Sequence, residues 1–207
     1  MKNIATALLL LSLFAVFPAS ATVLYNNPTT GTAYGSLGSQ PVSFGSSTTN
    51  SFTLGNLSVV NGLNFPLWIP AGDTATSVTW SITSRPFSGI LASGTVGVLP
   101  NNYINPADGG VYSVYDEYFS IPDLSLSSGT YWLQLENATT MNNAAVYWDQ
   151  ANGVASAYMG DIDTPVPSEF FQISGTTTAT PEPSSWLLLG TGVFGIAGIA
   201  RRRFQQM

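Results

Sequence analysis

Four aromatic residues, Trp68, Trp132, Tyr147 and Trp148, are the side chains of this sequence best suited to holding a ligand. A ring stacks on the apolar face of a sugar, and hydrogen-bonding groups beside it take the hydroxyls. Trp132 has such neighbours, because in an extended strand it shares a face with Gln134 and Glu136. The same rings would also serve as packing in a β core, and the sequence leaves both readings open. Carboxylates offer two further chemistries. Asp161-Ile162-Asp163, with Asp149 or Glu169, supplies oxygen atoms of the kind calcium takes. Pro165 and a missing glycine depart from an EF-hand loop, however, and a turn made by Asp explains the spacing as well. Asp116-Glu117 is a carboxylate pair of the type glycoside hydrolysis uses, yet neighbours on a strand point to opposite faces.

The chain has neither His nor Cys. That excludes a Ser-His-Asp triad, a thiol nucleophile and a Cys/His zinc site. No G-x-S-x-G elbow is present, and Lys2 is the only lysine, so lysine-assisted hydrolysis fails as well. The expectation is a non-enzymatic protein with no cofactor and no metal. A carbohydrate-active enzyme using a carboxylate pair is the alternative, and a purely structural coat module is a third reading. Charge narrows the partners. Between Thr22 and Thr180 the only basic residue is Arg85, against ten acids, so this stretch carries a net −9 (1 − 10). Such a body cannot neutralise a row of phosphates, so nucleic acid is excluded, and it avoids anionic lipid.

The two ends differ from the middle. Met1-Lys2-Asn3 is followed by an apolar run from Ile4 to Phe17 and then by Pro18-Ala19-Ser20-Ala21. This is a basic start, a hydrophobic stretch of signal-peptide length and an Ala-x-Ala site, with Ala19 and Ala21 small enough for signal peptidase. Residues 1–21 are the expected leader, and Thr22 the expected new N-terminus. At the other end a small polar linker, 176–180, leads to Pro181-Glu182-Pro183, an apolar run from Ser184 to Ala200, and Arg201-Arg202-Arg203. The two prolines hold Glu182 on a stiff, extended segment that an enzyme can grip without unfolding anything. The apolar run approaches the about 20 residues a membrane helix needs, and the arginines stay cytoplasmic, which places the body outside.

Pro181-Glu182-Pro183, the short Gly-bearing apolar helix and the terminal arginines together resemble the PEP-CTERM sorting signal of Gram-negative bacteria, from Pro181 to Met207. Such tails also go by the name "ice-binding protein C-terminal domain". The resemblance implies recognition and processing by a membrane-embedded exosortase, in systems linked to exopolysaccharide and biofilm. It implies a protein held briefly in the inner membrane, then delivered to the cell surface or extracellular matrix. Ice binding itself would need a repeated flat Thr array, and Thr29-Thr30, Thr48-Thr49 and Thr176-Thr177-Thr178 are loop or linker pieces without such a repeat.

From Val23 to Gly175 the pattern has period two. Val78, Trp80 and Ile82 alternate with polar neighbours, as do Tyr131, Leu133 and Leu135. Further strands are expected at Ser51–Val60, Leu63–Ile69, Ser88–Leu99, Val111–Ile121, Ala144–Asp149 and Glu169–Ser174, separated by Pro, Gly, Asn and Asp clusters. No stretch of helical length shows a 3.6-residue period. Eight or nine short strands imply an all-β, antiparallel sandwich over 22–175, jelly-roll-like in topology. Ser77-Val78-Thr79-Trp80, the stretch from Leu126 to Leu133, and Phe170-Phe171-Gln172-Ile173-Ser174-Gly175 resemble extracellular β-sandwich domains often found on PEP-CTERM proteins.

Overall fold

The computed structural model describes residues 22–27, 34–97, 99–177 and 192. The chain divides into two compact units, 1–177 and 178–207. The expected leader, the Pro-Glu-Pro segment and nearly all of the expected apolar helix lie outside the described residues.

The first unit is all-β and antiparallel. Its described strands are β1 (Thr22–Asn27), β2 (Ser39–Pro41), β3 (Ser47–Leu54), β4 (Ser58–Pro70), β5 (Ala75–Arg85), β6 (Ser88–Val96) and β7 (Asn102–Ala107). They continue with β8 (Tyr112–Leu126), β9 (Gly129–Thr140), β10 (Tyr147–Asp149), β11 (Ala157–Met159), β12 (Pro165–Val166) and β13 (Phe171–Thr177). One sheet is built on β4. Along one side of it runs β8, followed by β7; along the other run β13 with β1, and then β10 with β2. The second sheet has the order β12-β11-β3-β9-β5-β6. β3 pairs with β9 and β4 with β8, two nested long-range ribbons of the kind a jelly roll is made from. β5–β6 and β7–β8, in contrast, are hairpins between sequence neighbours.

Alternation explains the two layers. In β9, Leu133 and Leu135 are fully buried between the sheets, while Trp132 and Gln134 turn the other way. The neighbouring β5 adds Ile82 and the opposite sheet adds Phe65, Leu67 and Phe171, so the core is continuous across the layers. Trp148 is its largest fully buried side chain, edge-on to Phe65 at 6.1 Å and to Phe171 at 5.9 Å. Its indole nitrogen donates to the Phe170 carbonyl at 2.6 Å, which satisfies the one polar atom of the ring.

Several strand limits differ from the sequence reading. Ser51–Val60 is two strands, because Gly55, Asn56 and Leu57 break the run; Ser58 Oγ donates to the Asn56 carbonyl at 3.0 Å and closes that turn. Leu63–Ile69 is part of the longer β4. Its Pro66 lies beyond the reach of β13, which stops at Asn64, and before β10, which begins at Leu67, so its missing N–H breaks no ladder bond on that side. Val111–Ile121 extends through Pro122 to Leu126. Residues 121–123 of β8 bulge opposite the single residue Asn61, and the proline sits in that irregular stretch. The last strand also continues past Gly175, since Thr176 and Thr177 stay paired with Val59 and Ser58 of β4.

Candidate functional site

The four aromatic candidates fall on two different sheets. Tyr147 pairs with Trp68 across β10 and β4, and Trp148 is the next residue along, whereas Trp132 belongs to the second sheet. Trp148 lies wholly inside the core. Trp68 is turned to the outer side of its sheet but is only 7% exposed. The reason is a strap: residues 34–38 fold over this half of the sheet. Tyr34 stacks against Phe170 at 4.3 Å, and Asn105 Nδ2 donates to the Tyr34 carbonyl at 2.7 Å. Gly35 has φ +76, and a Cβ there would meet Ala107 Cβ at 2.9 Å, so only glycine lets the strap lie this close. Its N–H reaches both Asp149 oxygens, at 3.1 and 3.2 Å, and Trp68 Nε1 donates to Asp149 Oδ1 at 2.6 Å. Trp68 and Trp148 therefore offer no ring face to solvent. Tyr147 is half-buried, edge-on to Tyr112 at 5.6 Å.

Trp132 is half-buried on the outer face of the second sheet, with Ser51 and Thr83 as its cross-strand neighbours. Gln134 Nε2 donates to Glu136 Oε2 at 3.3 Å on the same face. The indole nitrogen of Trp132 is buried and has no partner.

The acidic candidates do not converge. Asp161 and Asp163 are exposed in the turn between β11 and β12, where Asp163 N–H bonds Asp161 Oδ1 at 3.0 Å. Asp149 and Glu169 are fully buried elsewhere. Burial raises the Asp149 carboxyl to about 6, even though the Trp68 and Gly35 donors pull the other way. Burial, with the nearby Asp149, pushes Glu169 well above the usual carboxylate range. Among the described residues no three acids, histidines or cysteines come together as metal ligands. Asp116 and Glu117 face opposite ways. Glu117 is fully buried in the core, raised to about 7 by burial, and accepts the Asn101 N–H at 3.0 Å. Asp116 looks outward, accepts from Asn64 Nδ2 at 2.7 Å and is raised by partial burial.

Where the strap ends, the outer face of the first sheet opens into a shallow groove of about 380 Å³. Gly62 forms its floor, leaving room that a side chain would fill; Asn61, Asn64, Ser120 and Ser174 line it, and Tyr118 stands at its side with 56% of its surface exposed. The Asn64–Asp116 hydrogen bond holds the amide and the carboxylate in place beside the ring. One exposed aromatic, two amides and two hydroxyls, with no cation, make a set of donors and acceptors around an apolar surface. The sequence reading did not find this site. The signal was present: Asp116, Tyr118 and Ser120 occupy every second position of β8, opposite in sense to buried Glu117 and Ile121.

No curated protein matches the chain. A family model matches residues 179–203, and its description is the PEP-CTERM protein-sorting motif. The match covers Pro181-Glu182-Pro183 and Arg201-Arg202-Arg203, the residues expected to form the signal. The chain thus carries a PEP-CTERM protein-sorting motif at residues 179–203, and such a motif implies export and membrane-associated processing by exosortase.

Proposed function

We propose that the chain is a non-enzymatic, polysaccharide-binding protein of the cell surface or extracellular matrix. The leader 1–21 is removed by signal peptidase, the tail holds the body at the inner membrane through its apolar helix, and exosortase processes it near Pro181-Glu182-Pro183. The delivered sandwich then holds a polysaccharide in the groove beside Tyr118.

The observation that carries the ligand assignment is this groove: an exposed phenol ring standing over amide and hydroxyl groups. Pyranose rings present an apolar face and a rim of hydroxyls, and they match both parts. The volume lies at the small end of the roughly 300–1,000 Å³ of small-molecule sites and accepts a short segment of a chain that runs on beyond it. A net charge of −9 with Arg85 as the sole cation favours a neutral glycan over an acidic one. Affinity electrophoresis through gels containing neutral polysaccharides tests the assignment. Tyr118→Ala is expected to lose at least about tenfold in affinity, roughly the 1.4 kcal/mol of one stacking contact. Equal retardation of wild type and Tyr118→Ala on every retarding glycan would remove the groove from the account.

A further inference from the structure

Each sheet of an open sandwich has edges, and an edge strand shows a row of unpaired N–H and C=O groups to any passing strand. Most edges of this body are blunted. β12 is two residues long and begins with Pro165; β2 is three residues long and ends with Pro41; β7 carries Pro106; β1 is interrupted between Val23 and Tyr25. β6 is different. It is nine residues long, contains no proline and no charge, and pairs among the described residues only with β5. It also exposes two apolar side chains, Ile90 at 66% and Leu91 at 43%. A bulge at Leu91 is its one irregularity, and the ladder from Ala92 to Val96 is regular.

We propose that β6 is the surface by which two copies of this chain join edge to edge, antiparallel about a two-fold axis, into one continuous sheet. Three observations choose a second copy as the occupant. Two bodies of net charge −9 repel almost everywhere, but residues 86–97 carry no charge at all, and the nearest charged side chain is Arg85, the body's single cation. A strand paired antiparallel with its own copy is complementary by symmetry and requires no other sequence. In the register centred on Ser93, residues 92–94 of one copy lie along residues 94–92 of the other, and Thr95 comes opposite the bulged, exposed Leu91 of its counterpart. Gly94 rests against the Trp80 ring, with a would-be Cβ only 3.1 Å away, which keeps the middle of the strand flat and narrow.

Cysteine cross-linking of the full chain in its host envelope tests this, since the protein has no cysteine of its own. In the proposed register the two Ser93 Cα atoms lie about 4.5–5.5 Å apart, inside the roughly 4.4–6.8 Å that a disulfide spans. Ser93→Cys is expected to give a dimer band on non-reducing electrophoresis that dithiothreitol removes. Ser127→Cys, in the exposed turn after β8, is expected to stay monomeric. Adding Thr95→Lys, a charge on the same edge, is expected to cut the Ser93→Cys dimer at least fivefold. A Ser93→Cys band no stronger than that of Ser127→Cys overturns the proposal, and so does a band that Thr95→Lys leaves unchanged.

Discussion

Thr22 and Gly175 stand 153 residues apart in the chain yet are cross-strand partners, and Thr22 Oγ1 donates to the Gly175 carbonyl at 3.4 Å. The body thus begins and ends on neighbouring strands. Gly175 has β1 on one side and β4 on the other, and a Cβ there would come within 2.0 Å of the Val59 carbonyl oxygen. Backbone cannot retreat as a side-chain tip can. Gly175→Ala is therefore expected to destabilise the body by about 2–4 kcal/mol, read as a lower urea midpoint. A loss within about 0.5 kcal/mol would mean that β13 shifts freely, contrary to its two-sided pairing.

Intact mass spectrometry on protein from the native host, from both membrane and medium, checks the processing. The expected mature form starts at Thr22 and lacks the segment following Pro181-Glu182-Pro183. A membrane-bound form that keeps Arg201 to Met207 would show a plain anchor in place of a processed signal.

The buried carboxylates set a pH dependence. Asp149 and Glu117 rise from 3.8 and 4.5 to about 6 and about 7 on folding, and Glu169 rises further. A raised carboxyl pKa means that the folded state binds protons the unfolded state has already released, so stability falls as pH rises. The loss begins near pH 4 and continues past pH 7; Asp73, whose carboxyl is lowered by its hydrogen-bond donors despite burial, adds an opposite slope only below about pH 4. The body is expected to be more stable at pH 5 than at pH 8. Glu117→Gln keeps an acceptor for the Asn101 N–H, removes one ionisation and is expected to shrink the stability difference between pH 5 and pH 8 by ~2–3 kcal/mol. Urea midpoints across this range decide it; a midpoint that climbs with pH contradicts the assignment.

Two tryptophans are expected to respond in opposite ways to loss of the indole nitrogen. Trp132 Nε1 is buried without a partner, so Trp132→Phe removes an unmade hydrogen bond and is expected to be neutral or to stabilise by up to ~1 kcal/mol. Trp148→Phe loses the bond to the Phe170 carbonyl and leaves a void in the core, at a cost of about 2–3 kcal/mol. Thermal melts of the two variants separate these outcomes.

The sorting tail was legible in the sequence because its parts are local: a stiff acidic tripeptide, an apolar run and three arginines in order. The strands carrying Trp80 and Leu133 were legible too, since period-two alternation is written in the residues themselves. Trp68 and Trp148 read as possible sugar platforms, because nothing local to them tells that residues 34–38 cover one and that the opposite sheet covers the other. The Tyr118 groove escaped notice for the converse reason. Its members come from β4, β8 and β13, and only the register of those strands brings Asn64, Ser120 and Ser174 to one place. Likewise the break at Gly55-Asn56-Leu57 looked like continuous strand until the pairing divided it between two sheets.

β13 is hydrogen-bonded along both edges, and the chain leaves it at Thr177 toward the tail. Tension applied at Thr177 along the axis of β13 would load the rungs to β1 and β4 lengthwise. Rungs loaded in this way share the force and must give way together, whereas a strand pulled sideways unzips one rung at a time. A body pulled in this direction would accordingly hold fast at this seam. β1, paired among the described residues on one edge only, would yield first.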